Sequence, residues 1–92
     1  MGDLELQVLW KVKAHRHPIY FITWKSDGSC IVTSSNEGTI AFWNAEDGSL
    51  IKKLKTPDKV EVYDIALSPD ERRVAGILGN NRVMMWDVES GD

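Results

Sequence analysis

The feature that most constrains this chain is a repeat inside it. Displaced by 43 residues, positions 18–48 fall on 61–91 without a gap. The identities are few: Tyr20/Tyr63, Ile22/Ile65, Asp27/Asp70, Trp43/Trp86, Glu46/Glu89 and Gly48/Gly91. The apolar positions agree further, through Ile19/Val62, Trp24/Leu67, Ile31/Val74, Ile40/Val83 and Phe42/Met85. Gapless agreement of pattern over weak identity marks two divergent copies of one structural unit. A unit this short cannot bury its own apolar face, so the copies must stack.

Each copy reads as short strands broken by turns. The largely apolar run Ile19–Trp24 predicts a strand buried on both faces. Ser26-Asp27-Gly28-Ser29 is a hairpin signal, with Ser68-Pro69-Asp70-Glu71 as its counterpart. Cys30–Ser34 is β-branched at Ile31, Val32 and Thr33 and predicts the next strand. Asn36-Glu37-Gly38 turns the chain, and Asn80-Asn81 does so in the second copy, where asparagine tolerates the left-handed backbone that glycine supplies in the first. Thr39–Asn44 and Leu50–Lys55 complete the first copy, and Arg82–Asp87 is the third strand of the second. No segment carries a 3.6-residue period, so essentially no helix is predicted.

Four strands per unit, a period in the low forties and a Trp-Asp pair closing the third strand resemble the WD-repeat β-propeller family. Trp86-Asp87 is the literal pair, Trp43-Asn44 a close variant, and His15 stands where the family usually carries Gly-His. The resemblance implies an all-β fold of two four-stranded antiparallel blades. It places an outer strand completing a neighbouring blade at 1–12, a first repeat at 13–55 and a second, lacking its fourth strand, at 56–92. It also implies a buried hydrogen-bond network through His15, Thr33, Glu37 and Trp43, with Glu in place of the usual Asp. The second copy offers Asp58, Gly76, Asn80 and Trp86 at those positions, so its network is essentially absent. That blade is expected to be the looser one, held by apolar packing of Ile65, Leu67, Val74, Val83 and Met85.

Propellers close with about four to eight blades, so two blades leave two faces open. Leu4, Leu6, Val8, Trp10 and Val12 alternate along 4–12 and share one face of a strand. Hence either these residues belong to a larger ring or copies assemble head to tail, three or four of a two-blade unit reaching about six or eight blades.

Several chemistries find little support. His15-Arg16-His17 has no neighbouring Cys, Asp or Glu at metal-ligand spacing. Ser26 and Asp27 lie in a turn without a Gly-x-Ser-x-Gly elbow. Gly76-Ile77-Leu78-Gly79 is too short to cradle a phosphate. Cys30 has no basic neighbour on its strand and reads as an inert core thiol. No catalytic residue, metal or cofactor is expected. The net charge is −3, and the longest basic runs are the pairs Lys52-Lys53 and Arg72-Arg73, which argues against nucleic acid and anionic membranes as partners. A single cysteine favours an intracellular setting, cytoplasmic or nuclear.

The reading is therefore a non-catalytic scaffold that binds other proteins and further blades. The alternatives are a nucleic-acid-associated propeller subunit and a propeller enzyme whose site needs more blades. In the family, partners dock on the narrower face, which the resemblance maps to Arg16, His17, Tyr20, Phe21 and Asn36 in copy one. In copy two it maps to Lys59, Glu61, Tyr63, Asp64 and Asn80. Aromatics and arginine at loop positions match the composition of interface hot spots.

Overall fold

The computed structural model describes residues 7–91. Seven strands form two antiparallel sheets. β1 (Ile19–Trp24), β2 (Cys30–Ser35), β3 (Thr39–Asn44) and β4 (Leu50–Lys55) make blade one, in the order β1-β2-β3-β4. β5 (Val62–Leu67), β6 (Arg73–Leu78) and β7 (Val83–Asp87) make blade two, in the order β5-β6-β7. The helical content among the described residues is one 3-10 turn, Pro57–Lys59. The early part of the expected outer strand, with Leu4 and Leu6, lies outside the described residues, and 7–12 run without strand pairing.

The two sheets repeat each other down to their irregularities. The register of β1 on β2 shifts between Ile19 and Phe21, and that of β5 on β6 shifts between Val62 and Asp64, 43 residues on. Left-handed turn residues also fall in register: Gly28 with Glu71, Gly38 with Asn81, and Gly48 with Gly91. Only backbone conformation is shared at the first two pairs, so turn geometry outlives residue identity.

The core lies between the sheets. Cys30, Val32, Ile40, Phe42 and Leu54 from blade one meet Val62, Ile65, Val74, Leu78 and Trp86 from blade two. Strand alternation explains the choice, because Val74, Gly76 and Leu78 of β6 share the face turned to blade one. Two expectations fail here. β1 is not buried on both faces: Ile22 and Trp24 are 63% and 60% exposed, because no blade stands on their side. Val83 and Met85 do not hold blade two together, being 71% and 58% exposed on its far face. Period two puts them opposite Trp86, which does the packing.

Polar contacts lock the joint at its edges. The Glu71 carboxylate accepts from Ser26 N (2.7 Å) and Ser26 Oγ (2.9 Å). Lys52 Nζ donates to the carbonyls of Val88 and Glu89. The linker is tied down as well. Thr56 N and Oγ1 both donate to the Gly38 carbonyl, at 2.8 and 3.1 Å, and Oγ1 also reaches the Val60 carbonyl at 2.8 Å. A β-carbon on Gly38 would stand 2.7 Å from the Lys59 carbonyl carbon, so glycine is required by this approach as well as by its φ of +80°.

Candidate functional site

Blade one carries a buried polar chain behind its third strand. Thr33 on β2 and Trp43 on β3 face the same side of the sheet, and His15 is folded over them from the segment before β1. His15 Nδ1 lies 2.8 Å from Glu37 Oε1, and a carboxylate only accepts, so Nδ1 carries the ring proton. Nε2 then accepts from the Thr33 hydroxyl at 2.7 Å, and Thr33 Oγ1 in turn accepts from the Trp43 indole N–H at 2.9 Å. The His15 ring stands edge-on to Trp43 with centroids 6.3 Å apart. The longer Glu37 side chain therefore reaches the histidine without breaking the turn.

Sequence reasoning missed two members. Thr39 Oγ1 lies 2.9 Å from His15 Nδ1 and shares its proton, while Ser35 Oγ lies 2.9 Å from Thr39 Oγ1. Strand alternation could have found Thr39, since Thr39, Ala41 and Trp43 share one face of β3.

Burial of the His15 ring disfavours its charged form and outweighs the Glu37 hydrogen bond and charge, so its pKa lies below 6.5. Burial acts against ionised Glu37, yet the His15 hydrogen bond and the His15 and Lys53 charges prevail and hold its pKa below the ordinary value.

Blade two builds the same position differently. Gly76 replaces Thr33, and a β-carbon there would stand 3.2 Å from both the Trp86 ring and a Val62 methyl. Trp86 thus packs flush on bare backbone where Trp43 holds a hydroxyl. Asp58 sits in the exposed 3-10 turn with φ +58° and is not part of any such chain. Asn80 is exposed at the β6–β7 turn. The residue after each tryptophan has one shared duty. Asp87 Oδ1 accepts from Glu89 N at 3.0 Å, and Asn44 Oδ1 accepts from Glu46 N at 2.8 Å. Only an acceptor is needed, so Asn serves as well as Asp.

The loop residues assigned to partner binding do not form one group. Tyr20 and Tyr63 stack across the joint, with centroids 4.9 Å apart and planes tilted by 38°. The Tyr20 hydroxyl donates to Asn36 Oδ1 at 2.8 Å, which fixes one ring of the pair. Arg16 lines a small pocket beside His15, Glu37, Lys13 and Lys53, and His17 is exposed next to it. Lys59 is exposed with φ +55°, its backbone against Gly38. Phe21 is half-buried and packs on the core. Glu61 is half-buried, its side chain lying where a β-carbon on Gly79 would stand. Asp64 is exposed within β5, at its register shift, and its Oδ1 accepts from Ile65 N at 2.8 Å. Tyr20, Tyr63 and Asn36 are the group that the fold brings together.

Among the described residues no three His, Cys, Asp or Glu side chains gather as a metal site. Cys30 is buried, and burial raises its thiol pKa, which suppresses the thiolate. No helix among the described residues is long and apolar enough to cross a membrane.

Comparison with known proteins decides the family. The model of the anaphase-promoting complex subunit 4 WD40 domain matches residues 3–61, more than half of the chain. The chain belongs to the WD40-repeat family. A second WD40 model, the WD domain, G-beta repeat, matches residues 48–87. Autophagy-related protein 18e of Arabidopsis thaliana is 36% identical over 75 residues, covering 79% of this chain and 20% of that protein. Denticleless protein homolog B of Xenopus laevis is 29% identical over 88 residues, 95% of this chain and 12% of that one. The chain thus spans a fifth or less of these WD40 relatives.

Among solved structures, Kluyveromyces lactis Hsv2p superposes with a TM-score of 0.73 at 24% identity, covering 84% of this chain and 25% of its own. The computationally designed Ika4 protein superposes with a TM-score of 0.76 at 19% identity, covering 96% of this chain and 52% of its own. At those identities the likeness establishes the WD40 blade fold alone.

Proposed function

We propose that this WD40 unit is a non-catalytic scaffold whose rim, centred on Tyr20, Tyr63 and Asn36, holds a partner protein. The observation that carries the reading is the tyrosine pair. Two exposed aromatic rings from different blades meet at 4.9 Å, and one is anchored by Asn36. Neither ring belongs to the core cluster. Rigid aromatics held at low entropic cost are what a protein interface uses as anchors. Arg16, His17, Lys59 and Asn80 are exposed and supply charge and hydrogen bonding around them. The matching family model is named for a subunit of a multiprotein complex, which supports an interaction role.

The test is capture of partner proteins by the tagged chain, with and without the double change Tyr20→Ala/Tyr63→Ala. The double variant loses the specifically captured protein and keeps the far-UV circular dichroism of the parent. Undiminished capture, or turnover of a substrate that depends on His17 or Asp27, overturns the scaffold reading.

A further inference from the structure

A cleft of about 290 Å³ opens in the first repeat between the segment before β1 and the edge strand β4. Its walls are Lys13, Ala14, His15 and Arg16 on one side, Glu37 at the β2–β3 turn, and Lys53 on the other. All of them belong to one repeat, so the cleft is complete without a further blade. Three cations thus face one carboxylate, and that carboxylate is already engaged. Glu37 Oε1 lies 2.8 Å from His15 Nδ1, and the Arg16 backbone hydrogen-bonds to the same side chain. Among the described residues, the Lys13, Arg16 and Lys53 side chains form no hydrogen bond or salt bridge. The fold does not require this charge: the corresponding place on blade two is lined by Pro57, Asp58 and Asn80, with Arg82 as its cation.

Charge is also divided between the two ends of the sheets, although the chain as a whole carries −3. At the end that holds the cleft, segments 13–18, 36–38, 55–61 and 79–82 have five lysines and arginines against three carboxylates. At the other end, segments 25–29, 45–49, 68–73 and 87–91 have three against seven. An anionic group is therefore drawn to one end of an otherwise acidic unit. The cleft also adjoins the tyrosine rim. Asn36 N donates to the Pro18 carbonyl at 3.0 Å, which ties the segment before β1 to the β2–β3 turn, and Asn36 Oδ1 holds the Tyr20 hydroxyl. Rings and cleft are neighbours joined through one residue.

We propose that the cleft takes an aspartate or glutamate side chain from an acidic segment of the partner protein. This rests on the reading of the rim as a protein-binding surface and adds the chemistry of what binds there. Arg16 offers a planar fork to a carboxylate, with Lys13 and Lys53 as point charges beside it. The volume stands at the lower limit of sites for free small molecules and suits one side chain. Tyr20 and Tyr63 stack on each other, which leaves no gap for a nucleic-acid base between them. The net charge of −3 repels an extended polyanion, whereas a short acidic segment meets only the basic end.

Fluorescence anisotropy of a labelled peptide of alternating glycine and glutamate, titrated with the 92-residue chain at low salt, is the experiment. The same peptide with glutamine is the control. The glutamate peptide is expected to bind more tightly, and Arg16→Gln/Lys53→Gln to weaken its binding about tenfold. Lys25→Gln/Arg72→Gln, which removes the same charge from the far end, is expected to leave it unchanged. Equal binding of the two peptides overturns the proposal. So does an equal loss in both double variants, which would make the effect one of net charge. Tighter binding of a uridine oligonucleotide or of phosphatidylserine vesicles, lost in the same cleft variant, overturns it as well. Tyr20→Ala/Tyr63→Ala is expected to keep its affinity for this peptide, which has no side chain for the rings, so failure of the rim and failure of the cleft are told apart. Should the cleft variant lose its sheet signal in circular dichroism, amide shifts of the parent chain decide. The glutamate peptide is expected to move those of Arg16, Glu37 and Lys53, and shifts confined to other residues overturn the proposal.

Discussion

The two blades place a tryptophan at the same point of the third strand and secure it by opposite means. In blade one, Trp43 ends a chain of hydrogen bonds through Thr33 and His15 to Glu37. In blade two, Trp86 is buried on the bare backbone of Gly76 and against Val62. The strand and turn geometry is the same in both, so the polar chain is not what dictates the fold. It determines what each blade can tolerate. A hydrogen-bonded position fails when one partner is removed, whereas a packed position fails when something is added.

The largest effect expected from this contrast comes from His15→Ala. It removes one hydrogen-bond partner each from Thr33, Thr39 and Glu37 and should cost about 2–3 kcal/mol in denaturant unfolding. Asp58→Ala, at the corresponding place in blade two, should stay within about 0.5 kcal/mol of the parent. Equal costs would erase the distinction between the blades. Gly76→Thr runs the comparison the other way. It supplies the hydroxyl of blade one where a side chain meets Trp86 and Val62, and thermal unfolding should show a loss of about 1–3 kcal/mol. A stabilised variant would mean that blade two lacks only the donor and has the room.

Acid should separate the blades more gently. The folded-state pKa of His15 lies below 6.5, so between that value and 6.5 the unfolded chain binds more protons than the folded one. The stability that neutral His15 contributes is complete above pH 6.5 and declines as pH falls through the folded value. Depressed Glu37 acts in the same sense at lower pH. Amide exchange, corrected for its intrinsic pH dependence, should therefore accelerate on acidification in residues 30–44 more than in 73–87. The reverse order would place the sensitive group elsewhere. The smallest effect concerns Ser34, whose hydroxyl is fully buried without a hydrogen-bond partner among the described residues, where the second repeat has Ile77. Ser34→Ala should gain up to about 1 kcal/mol in the same unfolding assay, and a loss would show that the hydroxyl is used.

The strands were legible because period-two patterning and turn residues are local signals. Ile19–Trp24, Thr39–Asn44 and Leu50–Lys55 match the structure, and β2 runs one residue past the expected Ser34. Burial was legible only where the sheet has a neighbour. Val83 and Met85 are apolar and strand-phased, yet the side they face depends on register with Trp86, and that side carries no blade. The contacts Ser26–Glu71 and Lys52–Val88 were hidden for a related reason: each joins residues 45 and 36 positions apart across the joint. The tyrosine pair could be named from the repeat, but its stacking depends on how closely the blades approach.

The tethered linker has a mechanical consequence. Thr56 is fastened to Gly38 through its amide and its hydroxyl, and the Lys59 backbone rests directly on that glycine. A load drawing blade two away from blade one cannot first extend the linker as slack. It meets these bonds together with the Lys52 and Glu71 contacts, which share it in parallel, so the pair resists as a solid plate until several bonds fail at once.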